Sequence, residues 1–331
     1  MIRVDLHCHT QFSSLATFNP ILARAKVPES FSDPDEVYLT AKARGMDLVT
    51  FTDHDTVNGC SAFMEAHPQV QDFFMSEEVT ARVPSSNEYF HINVFAITRQ
   101  IHEEIQTLRN NVFSLIEYLQ AKRIVHCVNH LFSPASRSLS PRLVKGAVRL
   151  FAVFETRNGT VSRPQNDLAH ALACRESKGG IGGSDAHSLR GVGRTYTCAP
   201  GARDLATLLE SIRLGYSWPE GSHGGTRGFA REAAELYWQG LRHCARAAIL
   251  GRREIKHLVG AAFGVAFFAP VLALAVPFGH VYRRLSQARA FRVQKKFLDQ
   301  GQGAGCAYEV PFSNLQFGGV ATAYPFEPER E

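Results

Sequence analysis

The sequence predicts an α/β protein, a closed or nearly closed barrel of parallel strands with helices outside, followed by a helical C-terminal extension. Three observations carry this expectation. Short apolar runs alternate with helical patterns through residues 1–215. Imidazole and carboxylate side chains gather where the strand candidates end, the end at which parallel α/β barrels assemble their sites. The composition then changes near Tyr216, beyond which helical pattern and basic charge dominate.

Taken in order, IRVDLH is the first strand candidate. SDPDEVYLTAKARG follows as a helix, with Ser32 or Asp33 as its cap, Pro34 in its first turn and Gly45 at its end. MDLVTFTDHD, QDFFMSEEVT and YFHINVFAI read as the next three strands, the last alternating as a half-buried strand does. IHEEIQTLRNNVFSLIEYLQAKR reads as one long helix with an apolar stripe at Ile105, Leu108, Val112, Leu115, Ile116 and Leu119. IVHCVNHL (strand), SPRLVKGAVRL (helix), FAVFETRNG (strand), QNDLAHALACRESK (helix), GGIGGSDAHS (strand end) and DLATLLESIRLG (helix) complete the region.

The extension, residues 216–299, opens with helical pattern in FAREAAELYWQGLRHCARAAIL and includes Leu258–Gly279, 22 residues without a charge. That length would cross a hydrocarbon core of about 30 Å. Pro270 and Pro277 interrupt it, and basic residues on both sides blur its orientation signal, so a buried helical hairpin is the alternative. Residues 228–299 hold twelve Lys/Arg against four Asp/Glu, a local charge of +8 that leaves −3 for the rest of a chain at +5. A nucleic-acid-coating protein would be basic throughout instead. Residues 300–331 read as loop. Seven cysteines without a C-x-x-C pair point to a reducing compartment, and MIRVDLHCHT lacks the apolar core of a cleavable signal. The expected location is cytoplasmic, with membrane association through 258–279 the variant of that expectation.

His7 and His9 stand one residue apart in DLHCH, so in a strand they share a face while Leu6 and Cys8 take the other. Alone, such a pair is weak evidence for a metal. TDHD (Asp53, His54, Asp55), SEEVT (Glu77, Glu78), His91, Asn129-His130, Glu155 and SDAH (Asp185, His187) repeat the pattern at the other strand candidates. So many buried imidazoles and carboxylates require a cation among them. Nitrogen and oxygen donors without paired thiolates suit Mn, Fe or Zn, and their number suits two or three ions.

DLHCHT, FTDHDT, SEEVT, HINVF, VNHLF and GGSDAHS, in this order, resemble the PHP domain (polymerase and histidinol phosphatase) family of the amidohydrolase-like superfamily. PESFSDPDEVYLTAKARGMDLVTFTDHDT and SDAHSLRGVGRTYT are similar, more closely, to a group of bacterial PHP proteins. The resemblance implies a distorted (β/α)₇ barrel over 1–215, a centre of two or three divalent ions and hydrolysis of phosphoester bonds. It implies that His7, His9, Glu78 and Asp185 hold one metal, that Glu78 bridges to a second held by His91 and His130, and that His54 and His187 face a third. Glu78 is preferred over Glu77, and His130 over His126. Many relatives carry an aspartate after the first motif's serine, where this chain has Ser13-Ser14; without it the third site lacks a ligand. The absence of histidine between His9 and His54 speaks against histidinol phosphate as substrate.

The function expected is metal-dependent hydrolysis of a small phosphorylated substrate, a nucleotide or nucleoside bisphosphate first among them. Asp185 is the candidate proton acceptor, with His187 or His54 assisting the leaving oxygen. Arg194 is a candidate phosphate contact, and Asp5, Asp53 and Asn129 are candidates for fixing imidazole tautomers. The alternatives are 5′–3′ trimming of short oligonucleotides and a non-catalytic, membrane-tethered regulatory module that binds metal.

Overall fold

β1 (Ile2–Val4), β7 (Thr195–Ala199) and β8 (Trp218–Gly221) form an antiparallel sheet in the order β1-β7-β8. A second sheet runs β2 (Ser76–Arg82), β3 (Tyr89–Phe95), β4 (His126–Val128), β5 (Val153–Asn158) and β6 (Gly179–Gly183). The computed structural model describes residues 1–14, 29–133 and 141–225, with parts of a helix between 228 and 242. Segment 258–279 and the tail 300–331 lie outside the described residues.

The strands are not all parallel, as strand–helix alternation suggested. β2 and β3 face each other as a hairpin from Ser76↔Phe95 to Arg82↔Tyr89, and β3 is antiparallel to β4 as well. Only the short connection 83–88 joins β2 to β3, too short for the helical crossover that parallel neighbours need. β4, β5 and β6 are parallel. Between the two sheets, residues 47–54 make single parallel bridges, Val4↔Leu48 on one side and Val49↔Phe73 and His54↔Glu78 on the other. Cys8↔Ala186 ties the segment after β1 to the segment after β6. The hydrogen-bonded strands thus form two sheets joined by bridges, and sheet pairing continues past residue 215 into β8.

Helices cover the sheets in chain order: α1 (Pro34–Ala43), α2 (Asn58–Ala66), α3 (Arg99–Leu108), α4 (Val112–Ala121), α5 (Pro141–Leu150), α6 (Arg163–Arg175) and α7 (Leu205–Arg213). Asp33 caps α1 by accepting from the Asp35 amide, and Gly45 ends it at φ 81°. The long helix expected over 101–123 is two helices. Asn111 accepts from the amides of Phe113 and Ser114 and so starts α4 after a break at Arg109–Asn110. α2 was not legible as a helix, having no side-chain cap. α7 opens on a capping box between Asp204 and Thr207.

The largest apolar cluster joins one face of β2–β5 to α3, α4, α5 and α6 through Val79, Ile92, Ile105, Leu115, Phe151 and Phe154, all buried. Against this packing the polar residues of the strand ends are held at a fixed separation. Among the described residues, no helix is long and apolar enough to cross a membrane. The described cysteines, Cys8, Cys60, Cys127, Cys174 and Cys198, are free thiols.

Candidate metal centre

The segment after β1 runs extended beside residues 184–186. The Asp185 amide donates to the His7 carbonyl, and the His9 amide to the Ala186 carbonyl. Alternation then aims His7 and His9 inward, both fully buried, while Leu6 and Cys8 join the apolar clusters. Gly183 permits this approach: a Cβ there would lie 2.3 Å from the Cβ of His7.

Glu78 is the centre of the arrangement. Its Oε2 lies 3.1 Å from His7 Nε2, 3.1 Å from His54 Nδ1 and 3.5 Å from His9 Nε2. Its Oε1 lies 3.2 Å from both His91 Nδ1 and His130 Nε2, and accepts from Asn129 Nδ2 at 2.8 Å. Asp185 Oδ1 stands 3.5 Å from His7 Nε2 and 3.4 Å from His9 Nε2. His187 stacks on His9 with ring centroids 4.4 Å apart. The ligand atoms fall into four overlapping triads, each within 4.8 Å: His7/His9/Asp185, His7/Glu78/His130, His54/Glu78/His91 and His9/His54/His187.

The donor chemistry fits cations. His7 Nδ1 is engaged by Glu155 Oε1 at 2.9 Å, so in the neutral ring Nε2 would be a lone pair aimed at two carboxylates. His54 has a carboxylate oxygen at each nitrogen, Glu78 at Nδ1 and Glu29 at Nε2 (3.2 Å), and a neutral imidazole can donate to only one of them. His9 Nε2 and both ring nitrogens of His91 are buried without a hydrogen bond.

Protons alone serve poorly here. Burial and the neighbouring His187 push the His9 imidazole down to about 4, and burial pushes His54 well below its ordinary value. Burial also disfavours a protonated His7, yet Glu78, Glu155 and Asp185 together raise it well above its ordinary value. Glu78 and Asp185 resist the upward push of burial because the surrounding imidazoles hold them well below the carboxylate range. The site therefore demands positive charge that its imidazoles only partly carry. Divalent ions held by neutral imidazole and ionised carboxylate would supply it.

The sequence candidates separate clearly in space. His7, His9, His54, Glu78, His91, His130, Asp185 and His187 converge. Glu77 points the other way and accepts from Gln106 Nε2 at 3.0 Å, with His102 Nδ1 2.9 Å from the same oxygen. His126 Nδ1 bonds the Ile124 carbonyl, and its ring packs edge-on to Phe151. Arg194 is exposed, its charge felt by Arg44 rather than by the cluster.

Asp5, Asp53 and Asn129 do not fix imidazoles. Asp5 accepts from the amides of His7, Ser184 and Gly193, and Asp53 from the amide and hydroxyl of Thr10. They fasten the backbone that carries the ligands. Asn129 orients Glu78. The groups beside imidazole nitrogens are Glu155 for His7, Ser13 Oγ for His9 (3.2 Å) and the Asp185 carbonyl for His187 (3.0 Å). Glu155 also accepts from the His130 amide and from Asn158 Nδ2, whose amide reaches Asp185 Oδ2 as well.

Three features were beyond sequence reading. Glu155 stood in view at a strand end without an assigned task. Glu29 and Glu232 gave no signal. The His187 amide donates to Glu232 Oε1 at 3.3 Å, from the helix that follows β8. Backbone strain marks the ligands as well, with φ of 52° at Asp185 and 26° at His130.

Fold and site together define an α/β protein built around an imidazole–carboxylate metal centre. Residues 163–216, from α6 through β7 to α7, match the family model described as PHP-associated. That match and the ordered motifs around the centre give this part of the chain a likeness to PHP-domain proteins. A stretch of 58 residues, 18% of the chain, is 34% identical to an uncharacterized protein of Methanocaldococcus jannaschii and spans 32% of it, about a third of that relative's length. PsfC from Pseudomonas syringae matches in fold with a TM-score of 0.51 at 17% identity, covering 71% of this chain and 98% of that one. An amidohydrolase from Chromobacterium violaceum, solved with sulfate and no metal, aligns over 63% of this chain and 96% of its own at 17% identity, with a TM-score of 0.44.

Proposed function

We propose that this chain is a metal-dependent phosphoesterase acting on a small phosphorylated molecule. The observation that carries the proposal is Glu78, fully buried with five imidazoles at 3.1–3.5 Å distributed over its two oxygens. A carboxylate so placed suits the bridge between two divalent ions. His7, His9, Glu78 and Asp185 would hold one ion, Glu78, His91 and His130 a second. Ions held there would supply neutralising charge to phosphoryl oxygens and a more acidic water.

The chain's own residues do the rest. Asp185 is fixed through Oδ2 by Asn158 and Thr160, leaving Oδ1 directed at the cluster, where it is placed to accept a proton. His187 is partly exposed at the edge, with Nδ1 engaged by the Asp185 carbonyl, which leaves Nε2 turned toward Glu29 Oε2 at 3.9 Å. His91 and His130 also line a shallow, open hollow with Tyr89, Phe90, Leu131 and Leu143. Tyr89 stacks on His91 with centroids 5.3 Å apart, a surface on which a planar base can rest. That aromatic surface is the reason a nucleotide or nucleoside bisphosphate is placed first among the substrates proposed.

The test is phosphate release from nucleoside 3′,5′-bisphosphates, short oligonucleotides and simple phosphomonoesters, with and without added Mn²⁺. Metal-dependent release from the bisphosphates is expected. A chain that binds metal and releases no phosphate from any of the three classes would overturn the proposal.

A further inference from the structure

The third ion position lacks the carboxylate that many relatives carry after the first motif's serine; here that residue is Ser14, whose hydroxyl is a poor ligand for a hard cation. We infer that Glu29, from outside every motif, supplies the missing carboxylate and completes a third cation site with His54 and His187. This inference rests on the proposed multinuclear centre and assigns a residue to it.

The chain returns to the motif at Glu29. Its amide donates to the Ser13 carbonyl at 3.3 Å, the Ser30 hydroxyl donates to the His9 carbonyl at 3.4 Å, and the Gln11 amide donates to the Ser32 carbonyl at 2.8 Å. Residues 29–32 are thus strapped alongside 9–13. Glu29 Oε2 lies 3.2 Å from His54 Nε2 and 3.9 Å from His187 Nε2. Around a tetrahedral ion with bonds of about 2.0–2.1 Å, ligand atoms stand about 3.3 Å apart, a spacing that Glu29 and His54 already meet and that His187 meets by closing about half an ångström.

Glu29 Oε2 is buried and makes no hydrogen bond. A carboxylate oxygen turned inward among imidazoles and making no hydrogen bond is placed as a cation ligand would be. An ordinary surface glutamate would turn its oxygens to water, and nothing covalent prevents this one from doing so.

The experiment is metal counting on the full chain. The protein is stripped with chelator, reloaded with Zn²⁺, dialysed and analysed by plasma mass spectrometry, with circular dichroism on each sample. Three equivalents are expected for the wild type and two for Glu29→Gln, which keeps shape and volume, with the spectrum unchanged. Adding Ser14→Asp to Glu29→Gln should restore the third. Three equivalents in Glu29→Gln would overturn the inference, as would only two in the wild type. Loss of all metal in Glu29→Gln would assign the residue to the fold and overturn it as well. A wild type that binds none would instead overturn the metal-centre reading on which this rests.

Discussion

Nδ1 of His7 lies 2.9 Å from Oε1 of Glu155, two fully buried groups 148 residues apart in the chain. The contact fixes which nitrogen of His7 faces Glu78 and Asp185, and it raises the basicity of that nitrogen toward a cation. Glu155→Gln keeps the size of the side chain and removes its charge. Metal affinity should fall about 10–100-fold, read by competition with a chromogenic chelator, while the spectrum of the folded protein is retained.

Glu78 touches every part of the centre. Glu78→Ala should remove both ions of the proposed pair and abolish phosphate release, since it deletes the shared ligand and leaves His7, His54 and His91 facing a void. Metal analysis and turnover measured on one preparation check this. Full activity with the ions still bound would contradict the bridging assignment.

Chelation should destabilise the fold. An ion at 100–1,000 times its Kd stabilises by about 2.7–4.1 kcal/mol, and its removal returns the lone pairs of His9 and His54 to carboxylate neighbours. Differential scanning calorimetry with and without excess EDTA should show a fall in Tm, reversed by adding Mn²⁺ or Zn²⁺.

Gly183→Ala and Gly146→Ala should act in opposite directions. At Gly183 the new methyl meets His7 Cβ at 2.3 Å and the His7 amide nitrogen at 2.9 Å, both held by the β-structure. The expected cost is about 1–3 kcal/mol, with weaker metal binding because His7 moves. At Gly146, inside α5, the nearest atom is Phe90 Cζ at 3.8 Å. Alanine there should raise stability by about 0.4–1 kcal/mol. Urea denaturation of both variants gives the comparison.

Salt separates a small substrate from a polymer. A nucleoside bisphosphate should lose little apparent affinity between about 50 and 200 mM salt, whereas a substrate bound through 6–10 phosphate contacts loses about 10³–10⁵. KM measured across that range on both substrate types decides between them.

The residue types of the centre were legible in the chain because metal chemistry restricts them to imidazole and carboxylate, and strand alternation places His7 and His9 on one face from their spacing alone. The helices with strong caps were legible for a similar local reason: Asp33 and Asp204 name the first turns of α1 and α7. The break at Asn111 was missed because an apolar stripe continues across it on both helices.

What the tertiary structure decided lies in contacts between distant segments. Strand polarity within β2–β3–β4 depends on the short 83–88 connection and on packing, which apolar runs do not encode. Asp5 and Asp53 serve backbone amides rather than imidazoles because the segments they tie together, 5–10, 184 and 193, meet only in the fold. The place of Glu29 depends on a hydrogen-bonded return of the chain beside Ser13. Sequence spacing determined which atoms could bind a cation, because that is a property of side chains. Only folding decided which carboxylates reach them, because burial and proximity are properties of the whole chain.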